Sequence, residues 1–306
     1  MRTSQVRAAF TVAASFAILS ACAIQGSPTI SNEPAPSGHS WAAREATSED
    51  LLYVSDLGTN LVDVVTYPAG KMVGQLSGFG AVSGLCVDKG GDVFVVDEAG
   101  PVQMFAHGGS TPLRKLTTYG APYGCAVDPA TGNLALTNLS SYLYGVVAIY
   151  PTAKGKPKLI KDYDANSSYF CGYDTSGNLF IDGTGRSAPF VLWELPKGKA
   201  EVTNLKFGKK VDRPGGVQFD GTYVAVGNYG AGLVYRVKHG TGEVVQTVTL
   251  KSGTNVQQFA IQGSTLVGQS TGEVPYYHYA GGGSPYKEVL GFSEPIAAVV
   301  SVGKSP

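Results

Sequence analysis

The chain repeats itself, and no other property of the sequence limits its fold as tightly. A short apolar strand, a tight turn and a second strand recur as GLCVDKGGDVFVVD (84–97), GCAVDPATGNLALTN (124–138), CGYDTSGNLFIDG (171–183) and GVQFDGTYVAVGN (216–228), with a weaker copy FAIQGSTLVGQ (259–269). Asp88, Asp128, Asp174 and Asp220 mark the turns at intervals of 40, 46 and 46 residues. A period of this length is the signature of stacked supersecondary units. The residue types suit tight turns, because Asp accepts bonds from its own following backbone and Gly takes positive φ without strain.

A second motif lies between these turns, an apolar strand ending in a tip of Pro, Gly and Lys. Its six copies are VVTYPAGK (64–71), VQMFAHGGS (102–110), VAIYPTAKGK (147–156), LWELPKGK (192–199), VYRVKHGTG (234–242) and YYHYAGGGS (276–284). Each is followed by a further strand, and no segment holds a helical period for more than two turns. Four short strands in roughly 42 residues, repeated without helices, predict the blades of a β-propeller. The ends complement each other. Leu51–Ser55 reads as a second strand lacking the strand before it, and Ile296–Val302 reads as an inner strand with nothing after it. The expected fold is therefore all-β: a six-bladed β-propeller over residues 50–306, its ring closed by the C-terminal strand pairing in the first blade. Closure removes two sheet edges that would otherwise invite aggregation.

The pattern Pro-x-Gly-h-x-h-Asp, turn, strand, Asp/Asn occurs as APYGCAVDPATGNLALTN and RPGGVQFDGTYVAVGN. It resembles NHL-repeat propellers and the related gluconolactonase group of six-bladed propellers. The resemblance covers residues 51–302 and implies the fold. The gluconolactonase group's metal site resembles a glutamate in Glu-Gly-Pro, an Asn in Pro-Asn-Gly and an Asp in Pro-Asp-Gly. Here those tripeptides read Pro122-Tyr123-Gly124 and Pro214-Gly215-Gly216, and Glu294-Pro295 lacks the glycine. The resemblance therefore does not carry the metal site across, and the fold alone hosts too many activities to name one.

The N-terminus has the layout of an export signal. Arg2 and Arg7 precede an apolar run, Ala8 to Leu19, that is too short to span a bilayer. Leu19-Ser20-Ala21-Cys22 resembles the lipobox of bacterial lipoproteins, which implies removal of residues 1–21 and lipidation of Cys22. Ala23 after the cysteine resembles the outer-membrane sorting pattern. Residues 22–49 are rich in Pro, Ser, Gly and Ala without apolar periodicity, and are expected to be a flexible tether. The expected location is the cell envelope, lipid-anchored at the outer membrane or periplasmic face. Removing residues 1–21 leaves 21 bases against 23 acids, a formal charge of −2. That balance excludes nucleic acid as a partner, since such proteins carry a basic stripe.

Alternating strand directions place the loops after each second strand on one face, together with the loops entering each inner strand. That upper face is expected to carry the site. The loops after the second strands open with Asp56, Asp97, Asn138, Asp182, Asn228 and Gln269. Their oxygens could hold Ca²⁺ or cap turns. The entering loops add Tyr123, Tyr169, Asp212, Arg213, Gln257 and Glu294, of a kind that suits a ligand-binding surface. From these, the candidate ligand-binding residues are Asp97, Tyr123, Asn138, Tyr169, Asp212, Arg213, Asn228 and Glu294. No catalytic or metal-ligating residue is assigned, and no cofactor is expected, with calcium the one alternative. His39 lies in the tether, and His107, His239 and His278 fall at or beside the outer tips, away from the axis where acid–base work would be done. Lys154, Lys156, Lys158, Lys161, Lys197, Lys199, Lys206, Lys209 and Lys210 cluster on two consecutive units, as a solvated edge or a basic rim for anionic lipid.

Cys86, Cys125 and Cys171 lie on inner strands. Cys125 and Cys171 share one register relative to the turn aspartates, and Cys86 is shifted by one residue, so it points to the other side of its strand. Cys86 and Cys125 could therefore meet and oxidise after export, or all three could be small buried residues. The expected function is a monomeric, non-enzymatic binding or scaffolding propeller that takes an envelope protein or small molecule on its upper face. The alternative is a calcium-dependent hydrolase of a lactone, ester or sugar derivative.

Overall fold

Short runs of Val, Ile, Leu, Phe and Tyr, punctuated by Asp and Gly turns, fold as antiparallel strands throughout the residues that the computed structural model describes, 39–139, 145–251 and 253–303. The expected signal peptide, Cys22 and most of the tether lie outside the described residues. Among the described residues the helical content is two short 3-10 turns, Arg44–Thr47 and Pro151–Ala153.

The first group comprises β1 (Trp41–Ala42), β2 (Leu51–Asp56), β3 (Leu61–Thr66) and β4 (Met72–Leu76). Four four-stranded sheets follow. They are β5 (Val82–Val87) to β8 (Pro112–Leu116) through β6 (Val93–Asp97) and β7 (Val102–Phe105); and β9 (Pro122–Val127) to β12 (Lys158–Asp162) through β10 (Leu134–Asn138) and β11 (Gly145–Tyr150). Next come β13 (Ala165–Tyr173) to β16 (Thr203–Asn204) through β14 (Leu179–Gly185) and β15 (Val191–Leu195); and β17 (Pro214–Phe219) to β20 (Val244–Thr249) through β18 (Val224–Asn228) and β19 (Leu233–Val237). The last strands are β21 (Asn255–Gln262), β22 (Thr265–Gln269), β23 (Glu273–His278), β24 (Lys287–Leu290) and β25 (Pro295–Ser301).

The first and last strands share one nine-stranded sheet, in the order β1-β4-β3-β2-β25-β21-β22-β23-β24. The C-terminal β25 pairs antiparallel with β2, from Leu51↔Ser301 to Asp56↔Pro295. A single parallel pair, Gln258↔Ala297, joins β25 to β21. The strands β5, β9, β13, β17, β21 and β25 contact one another in that order, and β25 in turn contacts β5. We call them the inner strands. Their N-terminal ends define the upper end of the axis they surround, and their C-terminal ends the lower. The architecture is all-β and propeller-like.

Glycines let the inner strands approach so closely. A Cβ on Gly84 would sit 2.5 Å from the Tyr123 carbonyl oxygen, one on Gly124 2.6 Å from that of Tyr169, and one on Gly172 2.6 Å from that of Val217. Each contact is with the backbone of the next inner strand, which cannot swing aside as a side chain would. Apolar layers fill the space between successive groups. One unites Tyr53, Val64 and Val73 with Leu85, Val95 and Phe105, and another unites Phe94 and Met104 with Leu136 and Tyr150. The last unites Val267 and Tyr276 of β22 and β23 with Leu52, Val54 and Ala298 of β2 and β25.

The turn chemistry is as the repeats imply. Asp88 Oδ1 accepts from the Gly90 and Asp92 N–H groups at 2.7 and 3.0 Å, with Gly91 at φ 87°. The tether departs from the sequence reading. It was expected to run to residue 49, but Trp41–Ala42 pairs with Gln75 and Gly74 of β4, and Ala46 is fully buried. An extra edge strand on β4 hides backbone groups that would otherwise be exposed, and two residues are too few to show a period.

Candidate functional site

The ring of oxygen-bearing side chains at the upper end is inside the protein. Asp97 accepts from the Gly80, Ala81 and Ala99 N–H groups at 3.0, 2.9 and 3.1 Å. Asp56 accepts from Gly58, Ser293 and Glu294 at 3.1, 2.6 and 2.9 Å. Asn138 accepts from Ala121 N–H at 3.0 Å and donates to the Tyr119 carbonyl; Asn228 accepts from Asp212 N–H at 3.0 Å. Asp182 accepts from Phe170 N–H at 2.8 Å, and burial pushes its carboxyl well above the usual carboxylate range. Gln269 donates to the Gln258 carbonyl. Asp56, Asp97, Asn138 and Asn228 fasten an entering loop to the end of a second strand, while Asp182 and Gln269 bond the backbone of the inner strand itself, because a backbone group hidden from water needs a partner. The structure therefore places Asp97, Asn138 and Asn228 beneath the surface as loop fasteners, not on the face a ligand would meet. Among the described residues no three His, Cys, Asp or Glu side chains gather to hold a metal.

Other candidates do converge. Tyr123, at the start of β9, stands edge-on to Tyr169 of β13, ring centroids 5.7 Å apart. Its phenolic oxygen accepts from Gln257 Nε2 of β21 at 2.7 Å. Strands β9 and β21 lie three apart in the contact order of the inner strands, counted in either direction, so this bond reaches across the upper end. Burial, followed by the charge of Glu98, pushes the Tyr123 phenol far above the ordinary tyrosine range, and Tyr229 and Tyr169 add to the shift. Glu98 is itself raised, by burial and then by Asp97. Arg213 is exposed and lies over the Tyr229 ring, 4.2 Å from its centroid. Asp212 is also exposed but pairs with Lys210 at 2.8 Å. Glu294 is exposed beside the first group, its backbone bonded to Asp56 and Leu57. The upper end thus joins Tyr123, Tyr169, Tyr229, Gln257, Glu98 and Arg213. Sequence reasoning missed Glu98 and Tyr229, although each directly follows a residue it singled out, Asp97 and Asn228.

The lower end is hollow. A cavity of about 260 Å³ opens there, walled by the inner strands. Val87, Val127, Tyr173, Phe219, Ile261 and Val299 line it, one from each inner strand. The sequence signal was the apolar residue before the turn residue in each repeat, as in Val87-Asp88, Val127-Asp128, Tyr173-Asp174 and Phe219-Asp220. Cys86 and Cys125 in the same wall form a disulfide with Cα atoms 5.7 Å apart. The one-residue offset explains the pairing: Cys86 faces the β9 group and Cys125 faces back into the same apolar layer. Cys171 points the same way round as Cys125, so it faces Ala126 in the next layer and stays a thiol. Burial, with the nearby Asp182 charge, pushes that thiol far above the usual cysteine range.

Two of the histidines have local partners. His107 lies 2.7 Å from Ser301 Oγ and 2.9 Å from the Glu49 carbonyl, and His278 stacks on Tyr286 at 4.5 Å. The clustered lysines are all exposed, with Lys158 and Lys161 on the outermost strand of their sheet.

No family model matches the chain, and no curated protein matches it. Among solved structures, a chain of a nidogen/laminin complex superposes with a TM-score of 0.66 at 14% identity, covering 84% of this chain and 99% of that one. A protein of unknown function from Bacteroides caccae superposes with a TM-score of 0.61 at 13% identity, covering 83% and 99%. At such identity the likeness is one of fold: this chain shares the propeller-like all-β architecture of both.

Proposed function

We propose that the protein is a closed six-bladed β-propeller of the NHL-like kind, exported and held at the cell envelope by lipid on Cys22, where it works as a binding or scaffolding module. Pairing of β25 with β2 and its contact with β5 support closure into six blades. The observation that carries the binding reading is the cluster bridging the upper end, Tyr123 to Gln257 at 2.7 Å with Tyr169 and the Arg213–Tyr229 stack beside it. Tyrosines offer large contact area at little entropic cost, and a stacked arginine adds a fixed charge, a combination enriched where proteins bind partners. The Tyr123 phenol keeps its proton at neutral pH and its oxygen is engaged by Gln257, so it acts as a wall of the site and not as a base. The partner is an envelope protein or small molecule with an acidic group for Arg213 and a flat face for the tyrosines.

Chemical cross-linking in intact cells tests this reading. The natural chain should give discrete envelope cross-links that Tyr169→Ala with Arg213→Ala reduces severalfold, and Cys22→Ser should move the protein out of the membrane fraction. Cross-links unchanged by the double substitution would discard the upper end as the site. Membrane retention of Cys22→Ser would discard the anchor.

A further inference from the structure

We infer that the lower cavity is a second binding site, for a small uncharged molecule with an apolar body and a carboxamide-like donor–acceptor edge. The cavity lies at the opposite end of the axis from the tyrosine cluster, and its argument does not depend on that cluster.

Size sets the first limit. An apolar cavity of about 150 Å³ is enough to hold benzene, and this one measures about 260 Å³. Charge sets the second. The lining contains no Asp, Glu, Lys, Arg or His. A charged ligand would leave water and find no counter-charge. The only ionisable side chains in the wall, Cys171 and Tyr173, are both held neutral by burial.

The polar chemistry of the wall sets the third limit, and the protein itself supplies the example. Apart from the single β21–β25 pair, an inner strand pairs on one side only, with its own sheet, so its other edge presents N–H and C=O groups. Two glutamines already use such edges. Gln218 Oε1 accepts from Ile261 N–H at 2.7 Å while its Nε2 donates to the Ile261 carbonyl at 3.0 Å. Gln258 does the same at Leu85, accepting from the N–H at 3.0 Å and donating to the carbonyl. Each amide copies a strand partner, and both lie in the cavity wall. A ligand that offers the same donor–acceptor pair takes the place of one of these amides at Leu85 or Ile261, with Val127, Tyr173, Phe219 and Val299 around its apolar body.

Two isosteric probes of the intact lipid-free chain test the inference: 2-naphthamide, neutral with the required edge, and 2-naphthoate, its anionic counterpart. Titration followed by probe fluorescence should show saturable binding of the amide and at least about ten-fold weaker binding of the carboxylate. Val127→Trp, which fills the mouth, should weaken the amide by about ten-fold or more. Val299→Phe is a milder filling variant in case the first does not fold, as checked by its melting curve. Tyr123→Phe at the upper end should leave amide binding unchanged, so loss of the upper site and loss of this one are read separately. Equal binding of the two probes, indifference to both filling variants, or no saturable binding of the amide would each overturn the inference.

Discussion

The two ends of the axis are built on the same six inner strands yet differ in almost every property that matters for binding. The upper end is bridged by long polar side chains, with Tyr123 meeting Gln257 across the axis and Glu98 and Arg213 nearby. The lower end keeps a hole, because Val87, Val127 and Val299 are too short to meet and Tyr173 and Phe219 are partly packed between sheets. The backbone path is common to both ends; what separates them is side-chain length and polarity at the first and last positions of each inner strand. A repeat can therefore hold its fold constant and vary the chemistry of its two mouths independently.

The largest expected effect breaks both ends at once. Deleting residues 295–306 removes β25 and exposes Leu51, Leu52, Tyr53 and Val54, all fully buried. Cooperative thermal unfolding followed by circular dichroism should disappear. A truncated chain that melts as the full one does would show that the fold does not depend on this strand. Next in size is an effect confined to the lower end. The Cys86–Cys125 bond closes a loop with a sequence separation of 39, which in the chain-entropy picture contributes roughly 4 kcal/mol at most. The Cys86→Ala, Cys125→Ala double variant should lose about 2–4 kcal/mol in urea unfolding under oxidising conditions, and a loss well below 1 kcal/mol would show that packing alone holds the two strands.

The smallest expected effect belongs to the upper half of the first group. Burial raises the Asp63 carboxyl to about 6, with a bond from Gln75 Nε2 at 2.8 Å opposing the rise and the charge of Asp56 adding to it. Between about pH 4 and 6 the folded chain keeps a proton that the unfolded chain has released. Stability therefore falls as pH rises through that window and stays lower above it. Asp63→Asn should gain on the order of 2 kcal/mol over the natural chain at pH 8 and almost nothing at pH 4. A gain independent of pH would assign the effect to packing. Naphthamide binding at the lower end should not follow this titration, which keeps the two ends separable.

The turns and strands were legible because their signals are local. Asp88 and Asp174 bond amides two and four residues ahead, a geometry that needs no knowledge of the rest of the chain. The complementary chain ends were legible for a related reason: a missing strand leaves a gap in a periodic pattern. The candidate site was read less well. Asp97, Asn138 and Asn228 were singled out for their oxygens, but whether an oxygen faces a ligand or a loop amide depends on a chain segment 16 or 17 residues away. Tyr123 and Tyr169 were singled out from their place in the loops entering the inner strands, and their rings do meet, 5.7 Å apart. Glu98, Tyr229 and the lower cavity were missed because their significance lies in what stands across the axis from them.

The sequence by itself determined the strand-and-turn repeat, the gap it leaves at the two chain ends, and the one-residue offset between Cys86 and Cys125. Each follows from period or strand alternation, which act over a few residues. Only the tertiary structure decided which side chains bridge the axis and where a hollow remains. Those outcomes depend on distances between strands far apart in the chain, fixed only when all six surround one axis.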